Sequence, residues 1–251
     1  MICSTPAFVL KSTDIRETSK IAVFFSRDFG KVKGLLKGIR KDPKKFGSTL
    51  APLSQNHIVF YKKRFSEIHL VSQCDLLDDF HLWRGDLKNF ALATFVAEFV
   101  DDLLPLEDPH PKVFELMFDF LNSLKSHRND TRRLFEIKLL ALSGFKPHFD
   151  SCVVCDKTMA RHAYFSHRKG GLLCSDCHAQ DKTAEPIAQG TVATILYIER
   201  SSWSGCLRLN MMPAVRRQLD SILDYFVQFH IGRRSKTDKM FAEILPSRGL
   251  I

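Results

Sequence analysis

Apolar and polar residues alternate along the amino-terminal part of the chain, with the two-residue period of half-buried β-strands. Within one such segment, Ile21, Val23 and Phe25 share a face. Strands of this kind are predicted over residues 7–11, 20–26, 31–39, 57–62 and 67–72. So many short strands in so short a stretch predict a small barrel or a sandwich.

From about residue 79, apolar residues recur every three to four positions, which is the period of amphipathic helices. Asp86 is placed to cap the first helix, and Pro105 ends it. Pro111 opens a second helix. Asp130 caps a third helix, which stops at Gly144. Further helices are predicted over residues 186–198 and 213–232 and around residues 240–244.

The change of period divides the chain into two predicted domains of an α+β protein. Residues 1–78 form the barrel, and residues 79–251 form a helical domain. The sequence lacks an apolar run of the ~18 residues that a membrane-spanning helix needs. The amino terminus also lacks the basic and then apolar layout of a secretory signal. We therefore expect a cytoplasmic protein with no membrane partner.

Seven cysteines are present, and four of them form two Cys-x-x-Cys pairs inside the helical region. An odd count with paired spacing is typical of metal binding in a reducing compartment, not of a disulfide framework. Four thiolates fill the tetrahedral coordination of zinc and leave no position open. The pattern predicts one structural Zn²⁺ per chain in a loop at about residues 150–180, bound by Cys152, Cys155, Cys174 and Cys177.

Two alternatives to a structural zinc remain open at this point. The four thiols can be a site that has lost its metal, or one that never binds a metal. A catalytic zinc would keep an open position, with His162, His167 or His178 replacing a cysteine. The zinc deaminase signature is missing, because the sequence contains no His-x-Glu. We therefore interpret the predicted zinc as structural.

Basic residues number 37 against 28 acidic ones, and the formal net charge of +9 favours an acidic partner such as nucleic acid. The excess is concentrated on and after the third predicted strand and at the end of the fourth. Phe46 is the aromatic residue expected to be exposed there, where a base can stack on it. An ordinary solvated face is the alternative. The predicted DNA-binding residues are Lys31, Lys33, Lys37, Arg40, Lys41, Lys44, Lys45, Phe46, Lys62, Lys63 and Arg64.

Signatures of phosphate-binding loops, dinucleotide-binding folds and serine hydrolases are absent from the sequence. Acidic clusters at Asp75, Asp78 and Asp79 and at Asp101 and Asp102 leave a Mg²⁺-dependent nuclease open, although helix caps and a helix surface explain them more simply. A zinc-containing barrel protein that binds RNA is another alternative. We predict a nucleic-acid-binding protein and leave these alternatives open.

Two stretches of the chain resemble the bacterial RecO family of DNA repair proteins. The first is FVLKSTDIRETSKIAVFFSRDFGKVKGLLKGIRK, and the second begins FEIKLLALSGFKPHFDSCVVC and continues through YFSHRKGGLLCSDC. The motifs that carry the resemblance are Glu17-Thr18, Gly30-Lys31, Lys37 to Arg40, Phe46-Gly47, Leu50 with Pro52, and Phe135-Glu136 leading to Gly144 and Pro147.

The resemblance implies an OB-fold barrel followed by a helical domain that carries the zinc loop. It also implies a recombination mediator, not an enzyme, that binds single- and double-stranded DNA and anneals complementary strands. With RecR, such a protein helps to load RecA onto DNA coated by single-strand binding protein, whose carboxy-terminal tail docks on the helical domain. A nucleoid-associated location in the cytoplasm follows. Asp42-Pro43 departs from the wholly basic loop of the family.

Overall fold

The structure is a computed structural model that describes residues 1–15, 17–42, 46–48, 50–126, 130–158 and 163–231. The described residues group into two compact units, one before residue 127 and one after residue 129. The helix predicted around residues 240–244 lies outside the described part of the chain. Among the described helices, none combines the length and apolarity needed to cross a membrane.

The first unit contains the predicted barrel. Its strands are β1 (Ile2–Ile15), β2 (Ser19–Ser26), β3 (Gly30–Leu36), β4 (Gln55–Tyr61) and β5 (Ile68–Asp78). They close in the order β1-β2-β3-β5-β4, and only the β3–β5 pairing is parallel. This arrangement confirms the predicted five-stranded OB-type barrel.

Strand β1 is much longer than the predicted segment 7–11, because it belongs to both sides of the barrel seam. Its first half pairs with β4 and its second half with β2. An irregularity between Val9 and Lys11 shifts the register where the strand bends. Closure of the barrel also requires a glycine at position 34 of β3, because a Cβ there would lie 2.5 Å from the Val71 side chain. The alternation of apolar and polar residues in the sequence does not show that one strand pairs with two others.

Helices cover one side of the barrel within the first unit, which explains why β2 is apolar on both faces. These are α1 (His81–Arg84), α2 (Leu87–Leu103) and α3 (Pro111–Ser123). Phe24 points into the barrel, whereas Phe25 points outward to the ring of Phe114 at 6.1 Å. The predicted cap of α2 is confirmed, because the Asp86 carboxylate accepts a hydrogen bond from the backbone N–H of Asn89 at 2.9 Å.

The second unit combines four helices and a small sheet among its described residues. The helices are α4 (Thr131–Leu142), α5 (Gln189–Arg200), α6 (Trp203–Cys206) and α7 (Pro213–Ile231). Strands β6 (Ala163–Ser166), β7 (Gly171–Cys174) and β8 (Glu185–Ile187) form a sheet in the order β7-β6-β8. Gly144 has a φ of +79° after α4, as expected of the glycine that ends a helix.

Two helix starts differ from the predictions. Pro186 does not open a helix: it lies in β8, opposite Tyr164, and α5 begins only at Gln189. An edge strand tolerates proline because the missing N–H is not needed there. Asp130 does precede α4, but its carboxylate makes no capping bond and instead accepts from the Arg216 guanidinium at 2.7 Å.

An ion network around the buried Glu136 joins α4 to α7. Glu136 is 1% exposed and accepts hydrogen bonds from Arg132 at 3.0 Å and from Arg133 at 2.8 Å. Arg133 also contacts Asp220 at 2.6 Å and Asp224 at 2.9 Å. Burial alone would lower the pKa of Arg133, but its carboxylate partners outweigh burial and raise it. The Phe135-Glu136 motif is thus explained by packing.

Removal of the Glu136 charge is expected to destabilise the second unit. We expect Glu136→Gln to cost about 3 kcal/mol in the free energy of unfolding, because Arg132 and Arg133 each lose their buried carboxylate partner, although Arg133 keeps the more exposed Asp220 and Asp224. Asp224→Asn is the matched control, and it is expected to cost less than about 1 kcal/mol because Asp224 is largely exposed. Urea denaturation followed by far-ultraviolet circular dichroism measures both. Equal costs for the two variants would contradict the proposed role of Glu136.

Candidate metal centre and candidate nucleic-acid interface

The four cysteines of the two Cys-x-x-Cys pairs converge in the second unit. The Sγ atoms of Cys152, Cys155, Cys174 and Cys177 all lie within 4.8 Å of one another. Those of Cys155 and Cys174 are 3.7 Å apart. Tetrahedral zinc with Zn–S bonds of about 2.3 Å needs sulfur atoms about 3.8 Å apart. The donor set and its spacing therefore fit a metal ion of this kind.

Backbone contacts between two hairpins bring the cysteine pairs together. The N–H of Val153 donates to the carbonyl of Leu172 at 2.9 Å, which ties the first pair to β7. Asp156 closes the first turn with a φ of 58°. Gly171 is required at the crossing, because a Cβ there would lie 2.7 Å from the carbonyl oxygen of His148. The glycines before the second pair thus permit the close approach of the two hairpins.

The thiols interact strongly with one another. Burial would raise the pKa of Cys152, but N–H donors from Cys174, Cys155 and Val154 outweigh it and lower the pKa to about 6. Burial and the three neighbouring thiols raise the pKa of Cys177 to about 12. One thiolate is therefore favoured, whereas four adjacent thiolates require a cation to offset their repulsion.

The histidines near this cluster have other contacts. The His178 ring stacks on Tyr164 at 3.8 Å, and the His167 ring lies 4.0 Å from the ring of Tyr225. His162 is outside the described residues. Among the described His, Cys, Asp and Glu side chains, the grouping that could hold a metal consists of the four cysteines. The arrangement is that of a closed structural site.

The basic strip predicted along the third strand does not form a continuous exposed surface. Lys31 is buried on the outer face of β3, and its ammonium group donates to the main-chain carbonyl of Asp101 and, at 3.0 Å, to the Asp101 carboxylate. The prediction of Lys31 as a DNA contact is therefore wrong. Lys33 pairs with Glu67 at 2.7 Å.

The turn after β3 keeps part of the predicted charge at the surface. Lys37, Arg40 and Lys41 are exposed, and the Arg40 guanidinium lies 3.6 Å from the Asp14 carboxylate. Lys44 and Lys45 are outside the described residues. The expected exposure of Phe46 is wrong, since this side chain is 3% exposed in the barrel core. The charged residues beside Phe46 in the sequence indicated a loop, but they did not indicate whether the ring points to solvent or into the barrel.

The connection between β4 and β5, residues 62–67, carries the most exposed part of the predicted surface. We call it the β4–β5 loop. Lys63 and Arg64 are exposed, while Lys62 is half-buried and pairs with Glu107 at 2.6 Å. The next side chain, Phe65, is 93% exposed. OB-folds commonly bind oligonucleotides with this same loop.

Phe65 is a residue whose importance the sequence pattern did not reveal. It is one of several aromatic residues near the basic segments, and the pattern favoured Phe46 among them. The useful signal was the run Lys62-Lys63-Arg64-Phe65 between two strands, because a two-residue alternation ends there. A side chain at the tip of a short strand connection has no sheet neighbours to cover it.

Comparison with known proteins identifies the family. Residues 1–80 match the family described as Recombination protein O N terminal, and residues 84–239 match Recombination protein O C terminal. A DNA repair protein RecO from Caldanaerobacter subterraneus subsp. tengcongensis is 29% identical over 90% of this chain and 92% of its own length. DNA repair proteins RecO from Alkaliphilus metalliredigens and Syntrophus aciditrophicus are each 28% identical, over 93% and 96% of this chain and 95% of their own lengths.

The two family matches meet where the barrel gives way to helices, and together they span both described units. The closed barrel and the cysteine cluster agree with the fold that the resemblance implied. The chain therefore belongs to the RecO family of DNA repair proteins.

Proposed function

We propose that this chain is a recombination mediator that binds DNA and makes or breaks no covalent bond. It binds single and double strands through the barrel and anneals complementary strands. One observation carries the proposal. In a RecO-family chain, the β4–β5 loop of an OB-type barrel presents Lys62, Lys63 and Arg64 consecutively beside an exposed phenylalanine. Such a surface fits a polyanion with accessible bases.

Annealing follows from the electrostatics of this surface. Two DNA strands repel each other, and cations held near their phosphates reduce that repulsion while the base edges stay free to pair. Lys37 and Lys41, in the turn after β3, are two further exposed cations on the same barrel. Binding to phosphates does not depend on sequence, as annealing of any complementary pair requires.

We further propose the partners that the family implies. These are RecR, RecA through RecR, and the carboxy-terminal tail of single-strand binding protein, which docks on the helical region in a nucleoid-associated complex. A structural Zn²⁺ stabilises the hairpins of that region, with Cys152, Cys155, Cys174 and Cys177 as its ligands. The donor set described above supports zinc as the metal.

The nuclease alternative is disfavoured by the positions of the acidic residues. Asp101 is engaged by Lys11 at 2.6 Å and by Lys31. The carboxylates of Asp78 and Asp79 accept hydrogen bonds from backbone N–H groups at the start of α1. Within the described ranges these carboxylates do not form a grouping suited to a metal. They have the local roles of ion pairs and caps.

Annealing of complementary oligonucleotides that are coated with single-strand binding protein tests the proposal. We expect the chain to accelerate duplex formation, further so when RecR is added, and to leave the strand lengths unchanged in Mg²⁺. Addition of unlabelled RNA in place of unlabelled single-stranded DNA is the control for the RNA-binding alternative. Failure to anneal, cleavage of the strands, or a clear preference for RNA would each contradict the proposal.

A further inference from the structure

Hydrogen bonds restrain both flanks of the β4–β5 loop. The backbone N–H of Lys62 donates to the carbonyl of Met1 at 2.9 Å, and that of Lys63 donates to Nδ1 of His69 at 3.2 Å. At the other end, the Ser66 hydroxyl bonds the backbone of Ile68. The flanks of the loop are thus restrained before any ligand arrives, which lowers the entropy cost of binding.

His69 extends this anchoring into the barrel. Its ring is buried and stacks on Phe60. Because Nδ1 accepts from the N–H of Lys63, Nε2 carries the proton and donates to the Glu107 carboxylate at 2.8 Å. The other oxygen of Glu107 contacts the ammonium group of Lys62 at 2.6 Å. The base of the loop is therefore fixed by polar contacts, and the tip projects outward.

Phe65 lies at this tip, and its surroundings differ from those of an ordinary isolated phenylalanine on a protein surface. Single exposed apolar residues are common on proteins and need no explanation. Here the guanidinium of Arg64 lies over the ring, 5.6 Å from its centroid, and three consecutive cations precede it. The ring also borders an open groove of about 570 Å³ that is lined by the loop together with Met1 and Glu107.

The charges of the groove decide which part of a nucleic acid enters it. Glu67 and Glu107 line the groove, and Lys62 lowers the pKa of Glu107, with a smaller contribution from His69, so this carboxylate is charged at neutral pH. Both carboxylates are already paired, Glu67 with Lys33 and Glu107 with Lys62, whereas the exposed Lys63 and Arg64 of the same groove can attract phosphates. A strand whose phosphates contact these two cations has its bases within reach of Phe65, the next side chain along the loop.

We propose that Phe65 is a stacking platform for an unpaired nucleobase, and that it makes the β4–β5 loop selective for single strands over duplexes. This inference rests on the proposed DNA-binding function. A duplex buries the faces of its bases in its own stack, so an isolated ring on a surface loop gains nothing from it. A single strand offers every base face to an aromatic side chain, whatever its sequence.

Binding of fluorescent oligonucleotides to Phe65→Ala measures the contribution. The probes are an oligothymidylate of about 20 nucleotides, long enough to cover one OB barrel, and a hairpin duplex with the same number of phosphates. We expect the Kd for the single strand to rise roughly 5- to 100-fold and the Kd for the duplex to change less than about twofold. Leu87→Ala is the matched control, since Leu87 is 62% exposed and does not line the groove.

Phe65→Trp supplies a direct readout of stacking. We expect it to retain single-strand affinity and the emission of the introduced indole to be quenched by oligothymidylate but not by the hairpin. The native Trp83 and Trp203 are buried, so they emit at shorter wavelength than an exposed indole. Since Phe65 is exposed, neither variant is expected to unfold the chain.

The outcomes separate this inference from the function on which it rests. If the unmodified chain binds neither probe, the proposed function itself is wrong. If the chain binds both probes but Phe65→Ala binds them as well as the unmodified chain does, the function stands and the stacking role is wrong. Equal losses for single strand and hairpin would also overturn the stacking role, because they would indicate that Phe65 only supports the loop.

Discussion

Charge reversal at Lys63 and Arg64 is expected to weaken DNA binding about 10- to 100-fold at low salt, for single strands and duplexes alike. Both side chains are exposed at the tip of the β4–β5 loop, so their replacement leaves the barrel core untouched. Phosphate contacts carry no sequence information, and the loss is therefore expected to be similar for all sequences. Fluorescence anisotropy with the double variant Lys63→Glu/Arg64→Glu measures it.

A control of equal charge distinguishes local contacts from the overall charge of the protein. Lys112→Glu/Lys125→Glu changes the net charge by the same amount at two exposed positions, one in α3 and one just after it. We expect this control to weaken binding less than about threefold, through long-range attraction alone. If both double variants lose affinity equally, the β4–β5 loop is not a specific contact surface.

Loss of the metal ligands is expected to unfold the hairpins of the second unit. In isolated zinc peptides the metal contributes about 10–16 kcal/mol to folding. Here β6–β8 and the adjoining helices also stabilise the hairpins. We therefore expect Cys155→Ser/Cys174→Ser to lower the free energy of unfolding of the second unit by several kcal/mol and to leave the barrel folded. Hydrogen exchange is expected to show lost protection in β6 and β7 and unchanged protection in β1 to β5.

Elemental analysis accompanies this measurement. We expect about one zinc per unmodified chain and about none in the cysteine variant. A chelator is expected to lower the thermal midpoint of the unmodified chain, while that of the variant stays constant. Ser175→Ala, at an exposed position between the second pair of cysteines, is the control and is expected to retain zinc. A chain that purifies without metal, or that loses zinc with unchanged protection in β6 and β7, would contradict a structural zinc site.

The barrel and most helices were predictable because their signals are local. Strand alternation, Asp86 as a cap, and Pro111 and Gly144 at helix ends all act within a few residues of themselves. The cysteine cluster was predictable for the same reason, since each Cys-x-x-Cys pair already holds two ligands at the right separation. The small sheet around it was missed, because its strands are only three or four residues long.

The nucleic-acid surface was only partly predictable, because the exposure of a charge depends on distant residues. Lys31 is buried, and its ammonium group donates to Asp101, which is 70 residues away in sequence. Phe46 fills the barrel, whereas Phe65 is exposed, although both follow runs of basic residues. Net charge therefore indicated a polyanionic partner, and only the fold distinguished cations that face solvent from those engaged by carboxylates.

The salt dependence of single-strand binding tests the central claim most directly. If Lys63 and Arg64 of the β4–β5 loop neutralise phosphates together with the exposed Lys37 and Lys41, log K is expected to fall with log[salt] with a slope of about −2 or steeper. In Lys63→Glu/Arg64→Glu the slope is expected to become shallower by about 1.4, because two phosphate contacts are lost. A slope near zero for the unmodified chain, or an identical slope in the variant, would contradict the claim.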